Sequence, residues 1–528
     1  MIEKLSNQTR LLVAVVISVA FFVAYDYFFL PKKVQDLNAS ATSANAAPAI
    51  NTSAFANAPT NQTKLAPMQN ASKTLVNIIA NDFNASIDEL GRISSFVLNQ
   101  NKFKKENGEH IALISPNDDP RPLEVRFSDA RLNELAFKNA YSTSTSELDL
   151  TNGANGAKSV KLSQNLGDKT LIKEVTFYPN GSYDVKVSVD ADYFITPGHR
   201  PSVEVDGYTV HGTMLRANDD SLNIIEDGDA KGDETFASID LLASSDRYYT
   251  TLFYDDKRAL EVYIQNAKDK STLGFVRARG ELALKGFIGP KDNALLKSIN
   301  PRLGDVVEYG WFTFISKPMF GFLNWLYGFF GNWGWAIVAL TLIIRVILFP
   351  LTYKGMVSMN KLKDLAPKMK ELQAKYKGDP AKLNAHMMEL YKKHGANPMG
   401  GCLPILIQIP IFFAIYRLLL NAIELKGAQW ILWINDLAIK DPYLVLPILM
   451  GATMYLQQRI TPTSFADPMQ EKLMRFLPVV FTFFFLLFPA GLTLYWFINN
   501  LCSLVQQYVV NKMFARHKAE QIVAHHKE

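Results

Sequence analysis

Six apolar runs constrain this chain more than any other feature: Leu11–Leu30, Trp333–Leu351, Leu403–Leu420, Tyr443–Leu456, Phe476–Phe488 and Leu492–Val510. In hydrocarbon every backbone polar group must be satisfied internally, so such runs read as membrane helices. The last two are parted only by Phe488-Pro489-Ala490-Gly491, a tight turn. A hydrophobic content of 48% over 528 residues looks ordinary only because a polar middle dilutes the apolar ends. Lys4 and Arg10 precede the first run, and Tyr25, Tyr27, Phe28 and Phe29 extend it without a small-residue cleavage site directly after. It therefore reads as an uncleaved signal anchor rather than a cleaved signal peptide.

Charge sets the orientation. Residues 354–393 carry ten lysines against four acidic residues, and the tail after Asn511 adds Lys512, Arg516, Lys518 and Lys527. Between Asn421 and Pro442 only Lys426 and Lys440 stand against Glu424, Asp436 and Asp441. Basic segments alternate across the spans as the positive-inside rule requires for both termini in the cytoplasm. The expected organisation is a signal-anchor helix (1–30), a disordered linker (31–73) and an exported β domain (74–310). An interfacial helix and second span (311–352), a cytoplasmic helical hairpin (353–398), four further spans (399–510) and a basic tail (511–528) follow.

The linker is rich in Ala, Asn, Ser, Thr and Pro and cannot bury enough apolar surface to order itself. Asn38 and Asn84 each sit in Asp-x-Asn-x-Ser, the pattern of bacterial glycosylation acceptors, although a chance match in an Asn-rich stretch is the favoured reading. Beyond it, Leu171–Tyr178, then Pro179-Asn180-Gly181, then Ser182–Val189 alternate with period two about a turn, the pattern of a β-hairpin. Ile93–Leu98, Tyr248–Tyr254 and Gly274–Gly280 read as further strands of a mainly antiparallel, two-sheet domain. Its histidines, His110, His199 and His211, are scattered, which favours a structural or docking role over catalysis. Two cysteines, Cys402 and Cys502, are too few for a disulfide framework or a cysteine-based zinc site. With no GxxxxGK[ST], HExxH or GxSxG either, no enzyme, metal or cofactor is expected.

Function points instead to Arg345, six residues inside the cytoplasmic end of its run and so roughly 9 Å into the hydrocarbon. An arginine there costs roughly 2.5–3.5 kcal/mol on translocon scales, which demands an explanation. Snorkelling to the nearby interface is one. A shared wet cavity is the other, favoured by Thr341 on the same helical face, Gln408 between two prolines, and Thr493, Trp496 and Asn500 on the last run. Gln506, Gln507, Thr453, Gln457 and Gln458 add further polar groups. Phe476–Phe488 spans only about 20 Å as a helix, short enough to thin the bilayer around it. Lys317–Gly331 reads as a helix in the outer interface or a simple elbow. In the hairpin, Gly378, Asp379 and Pro380 mark the turn between two helices. Met356, Met359, Met369, Met387 and Met388 are more than a tight seam needs, so a seam and an adaptable binding surface are both open. The lysines can face anionic lipid or ribosomal RNA.

Several segments carry a family resemblance: Arg345-Val-Ile-Leu-Phe-Pro-Leu-Thr352, Asn397-Pro-Met-Gly-Gly-Cys-Leu-Pro-Ile-Leu-Ile-Gln-Ile-Pro410, Asp441-Pro442 with Leu446-Pro-Ile-Leu-Met-Gly451, Asp467-Pro-Met-Gln470 and Phe488-Pro-Ala-Gly491. Over about residues 310–515 the chain resembles the YidC-type membrane protein insertases of Gram-negative bacteria. The resemblance implies six transmembrane helices, five of them enclosing a hydrophilic groove, with a periplasmic antiparallel β-supersandwich domain. It implies that Arg345 and Thr341 lie in that groove and that the substrate-contacting aromatic pair falls on Tyr495 and Trp496. Tryptophan there replaces a tyrosine and loses a hydroxyl donor. The implied function is insertion of nascent membrane proteins into the inner (cytoplasmic) membrane, alone or with the Sec translocon, ribosomes and targeting factors, among membrane lipids and with no specific nucleic acid. The rivals are a small-solute transporter, disfavoured by the lack of inverted-repeat pairing among the spans, and a membrane receptor with the exported domain as sensor.

Overall fold

The computed structural model describes residues 73–105, 107–115, 118–151, 156–203, 209–267, 269–376, 378–395, 403–461 and 468–525. The expected signal anchor, nearly all of the linker and Asn38 lie outside them, as do residues 397–402 and Asp467 of the family segments. Two compact units divide the chain at Val306 and Val307.

The first unit contains β1 (Thr74–Ile79), β2 (Phe83–Asp88), β3 (Ile93–Leu98), β4 (Ala112–Ile114), β5 (Val125–Phe127), α1 (Ala130–Lys138), β6 (Glu147–Asp149), β7 (Lys158–Asn165) and β8 (Thr170–Phe177). It continues through β9 (Ser182–Ile195), β10 (Gly212–Ala217), β11 (Leu222–Glu226), β12 (Glu234–Ser245), β13 (Tyr249–Tyr254), β14 (Leu260–Asn266), β15 (Thr272–Pro290) and α2 (Asn293–Ile299). One sheet runs β4-β3-β2-β1-β6 and the other β11-β10-β12-β13-β15-β9-β8-β7, with β14 joining β12 to β15 and β5 joining β9. Pairing is antiparallel except between β1 and β6.

The hairpin read from alternation is β8–β9, paired from Ile172↔Ser188 to Phe177↔Tyr183. Gly181 turns it at φ 83°, where a side chain would also strike the Ile288 carbonyl. Leu171, Lys173, Val175 and Phe177 share the buried face of β8, so a lysine lies in an otherwise apolar row. Its Nζ donates to the Gly91 carbonyl at 3.0 Å and the Leu123 carbonyl at 2.8 Å. Beside it, buried Asp88 accepts from Arg92 Nε at 2.9 Å and Arg121 Nη1 at 3.0 Å, and Glu124 pairs with Arg92 and Arg126. These contacts fasten β2 and the turn after it to the larger sheet's side of the domain. Asn84 is exposed on β2.

The second unit is helical: α3 (Thr313–Phe330), α4 (Trp333–Lys375), α5 (Pro380–Lys393), α6 (Leu403–Asn421), α7 (Val445–Ile460), α8 (Pro468–Phe485) and α9 (Ala490–His525). In α3, Ser316, Phe320, Leu323 and Leu326 are buried at helical spacing while Phe314, Trp325 and Phe329 are exposed on the opposite side. Gly331 ends it in the left-handed region, and Asn332 caps α4 by accepting from the Trp335 amide at 3.1 Å. Asp379 caps α5 through the Lys382 amide with Pro380 in the first turn, the signal read from the sequence.

Among the described residues α4 alone is long and apolar enough to cross a membrane by length and composition; Gln408–Asn421 and Arg475–Phe485 are shorter apolar segments. The expected boundary between span and hairpin at residue 352 is not a break in the chain's course. α4 continues for 43 residues through Pro350 and Pro367, about 64 Å. The expected basic tail begins as helix, because α9 runs unbroken to His525.

Candidate functional site

α4, α6 and α9 meet around Arg345. Ile344, Leu348 and Leu351 line a cavity with Ile411, and its polar wall is Arg345, Thr352, Gln408, Tyr495 and Asn499. Arg345 is 8% exposed. Its Nε donates to Asn499 Oδ1 at 2.8 Å and its Nη2 to the Asn499 carbonyl at 3.1 Å. Its own carbonyl accepts from Gln506 Nε2 at 3.3 Å. Among the described residues it makes no ion pair with a carboxylate. A buried guanidinium held by neutral groups keeps most of its field, so an incoming anion gains more there than in water.

This geometry decides against one of the two explanations considered for the arginine. The side chain is turned inward and does not snorkel. The cavity beside it has about 360 Å³ of empty space, including the solvent open to it. Several polar residues expected to line it satisfy their own helices instead. Thr341 Oγ1 donates to Ile337, Thr453 to Leu449 and Thr493 to Pro489. Gln507 donates to Asn511, which also accepts from Asn360 at 2.9 Å and donates to the Ile460 carbonyl at 3.1 Å. That node ties α4, α7 and α9 on the side of the cavity where α4 extends into the hairpin.

The structure therefore brings together Arg345, Gln408 and Tyr495, with Thr341 buried one turn from Arg345 on α4. Trp496 lies elsewhere. Its ring packs at 4.6 Å from Phe412 and 5.3 Å from Phe485, with Phe481 beside it. Asn500 is buried outside the cavity lining, and its Nδ2 has no hydrogen-bond partner among the described residues. Consecutive residues on a helix point about 100° apart, so Tyr495 and Trp496 cannot share one face. Sequence reasoning took the face of Thr493, Trp496 and Asn500 and missed Asn499. The missing signal was the spacing of four from Tyr495. It also passed over Arg417, buried near the end of α6 beside Gly310 and Glu308, although an arginine inside an apolar run was legible.

In the hairpin, Met369 receives the Tyr391 hydroxyl at 3.8 Å between α4 and α5, a seam contact. Met356, Met359 and Met387 are half-buried, and Met388 is exposed. Along the outside of the unit Val346 and Ile347 of α4 are about 70% exposed, and Val479, Phe483 and Leu487 on or next to α8 are similarly bare.

A helical unit with bare apolar faces and a buried cation follows a β domain in this chain, and the families matched make the pair an inner-membrane protein with a periplasmic domain. Residues 325–518 match the family described as 60Kd inner membrane protein, and residues 236–322 match the YidC periplasmic domain. The chain is 54% identical over 514 residues to the membrane protein insertase YidC of Campylobacter jejuni, covering 97% of each chain. It is 52% identical over 517 residues to that of Wolinella succinogenes, covering 97% of this chain and 96% of the relative. With the insertase of Helicobacter pylori the identity is 45% over 549 residues and 98% of each chain. The chain belongs to the YidC family of membrane protein insertases.

Proposed function

We propose that the Arg345 cavity is the polar half of an insertion site for nascent membrane proteins, and the exposed apolar faces of α4 and α8 its greasy half. A short polar flank of the substrate, most often acidic, exchanges with Asn499 as partner of the guanidinium. The substrate's apolar segment meanwhile passes along Val346, Ile347, Val479, Phe483 and Leu487 into lipid. Burial of that segment drives the reaction at roughly 25 cal/mol per Å² of apolar surface. A flank of several residues needs more space than this cavity offers, so entry requires α6 to move away from α4 and α9.

The observation that carries this reading is that Arg345 pairs, among the described residues, with the neutral Asn499 at 2.8 and 3.1 Å and with no carboxylate. Arg345 and Thr341, Gln408 and Tyr495 serve the polar flank in this scheme; Trp496 and Asn500 act behind it, stiffening α9. The six-helix topology with both termini in the cytoplasm rests on the distribution of lysines. Cooperation with the Sec translocon, ribosomes, targeting factors and anionic lipids falls to the hairpin and its methionines, of which exposed Met388 favours a docking use.

Depletion of the resident insertase followed by a pulse-labelled insertion assay on a small two-span protein tests the reading. Arg345→Ala should impair acidic-flanked substrates most, and Arg345→Lys should restore part of their insertion. Equal insertion of acidic and neutral flanks by Arg345→Ala would refute the electrostatic step.

A further inference from the structure

The segment between α6 and α7 carries a feature that the insertion site does not use. Residues Trp430-Ile431-Leu432-Trp433-Ile434 form a closed turn, with the Trp430 amide donating to the Ile434 carbonyl at 2.9 Å and the Ile434 amide to the Ile431 carbonyl at 3.1 Å. Ile434 and Leu437 are buried beneath it. At its tip Leu432 has φ 54° and is 80% exposed. The left-handed region disfavours a leucine, and water disfavours its side chain, so both preferences are violated at one residue. A conformation held against intrinsic preference by its surroundings points to use.

The turn is fixed at a known level of the unit. Asn332, the cap of α4, donates from Nδ2 to the carbonyls of Gln429 at 3.0 Å and Trp430 at 3.3 Å. The Trp430 ring meets Trp335 edge-on at 5.7 Å and lies so close over Gly334 that a side chain there would overlap it. Trp433 Nε1 donates to Asp441 at 3.0 Å. The turn therefore lies beside the first residues of α4, where its apolar run begins. Leu432 is two residues from Trp430 and so within about 7 Å of that level. Phe329, Phe330 and Trp335 are exposed at the same corner. Tryptophans flanking an apolar tip, with no charged residue between Gln429 and Ile434, fit a bilayer interface better than a protein partner.

We propose that this turn is a membrane wedge, with Ile431 and Leu432 inserted among the outer-leaflet acyl chains of a phospholipid bilayer just below the headgroups. It fixes the depth of the helical unit from the periplasmic side. The proposal rests on α4 as a membrane span. In full-length protein with Cys402→Ser and Cys502→Ser, Leu432→Cys is labelled with an environment-sensitive fluorophore and reconstituted into phosphatidylethanolamine–phosphatidylglycerol vesicles. Ile347→Cys is labelled in parallel. The expected result is blue-shifted emission at Leu432, quenched by lipids spin-labelled near the headgroup and shielded from aqueous iodide. Iodide quenching at Leu432, or protection from both quenchers, with Ile347 still shielded from iodide and quenched by lipids spin-labelled along the acyl chain, overturns the wedge alone. Iodide quenching at Ile347 as well removes the membrane span and the wedge with it. Leu432→Gly suits the backbone conformation, so it should fold normally yet bring the same label at Ile431→Cys into contact with iodide; unchanged shielding there also overturns the proposal.

Discussion

Replacing Asn499 by aspartate changes one atom group beside Arg345 and tests the charge logic directly. The amide oxygen lies 2.8 Å from Nε, so the near-isosteric carboxylate falls within ion-pair distance without moving the helices. At an effective dielectric of about 20, two unit charges 4 Å apart attract by about 4 kcal/mol. An internal acid therefore occupies the guanidinium more strongly than the neutral amide does, and the site loses its appeal to an acidic flank. Even if only about 1.4 kcal/mol of that competition survives relaxation and hydration, capture of the flank falls about tenfold. Pulse-labelled insertion, scored by protease accessibility of the translocated segment, should drop for an acidic-flanked substrate and hold for a neutral-flanked one. Asn499→Ala separates charge from geometry. It removes one hydrogen bond to a buried cation, about 1.5–3 kcal/mol of local stability, without supplying a rival anion. Normal insertion of acidic flanks by Asn499→Asp would refute the argument. Equal loss for both flanks would mean damaged packing rather than altered charge.

Two further perturbations probe the supporting structure. Burial lowers the Lys173 ammonium from its usual 10.5 to about 7, against the upward pull of Asp88 and Glu124. The unfolded chain then binds more protons than the folded one between about pH 7 and 10.5, so this group makes the β domain more stable as pH rises through that window. Protection factors of β8 amides in the full-length protein, which divide out the intrinsic rise of exchange with pH, should increase across it, and Lys173→Met should flatten that slope; an unchanged slope contradicts the assignment. A side chain on Gly451 of α7 would overlap that of Thr482 on α8. Gly451→Ala should therefore cost about 1–3 kcal/mol by overpacking, read as a lower unfolding temperature in detergent, and an unshifted midpoint would show that the two helices separate freely.

Local chemistry was the legible part. The β8–β9 hairpin followed from alternation about Asn180-Gly181, and the start of α5 from Asp379 and Pro380, because turn and cap are decided within a few residues. The continuity of α4 was hidden by Pro350, which removes one backbone hydrogen bond and bends a helix more readily than it ends one where neighbouring helices pack against it. The grip on Arg345 was hidden for a different reason. Whether Asn499 or Asn500 faces it depends on the rotation of α9 about its axis, which is set by packing against α4 and α7 and not by residues of α9 alone. Alternation buries the row of Leu171, Val175 and Phe177, and Lys173 with it, without saying how the row tolerates an ammonium group. What made the row tolerable, the carbonyls of Gly91 and Leu123, lies some fifty to eighty residues away.

The unbroken course of α4 and α9 has a mechanical consequence. Below the cavity the two rods are bolted together by Asn360 with Asn511 and by Asp364 with Lys518 at 2.8 Å. Arg345 stands fifteen residues from Asn360, about 22 Å along the helix, and Lys375 about as far on the other side. No loop separates the two ends, although Pro350 and Pro367 give each arm a place to flex, so a torque applied at the hairpin that these do not absorb pivots on the bolt like a seesaw. A tilt of about 5° carries the guanidinium end through about 2 Å, enough to break a 2.8 Å hydrogen bond. Load at the tip of the hairpin and release of the arginine are thus two ends of one lever.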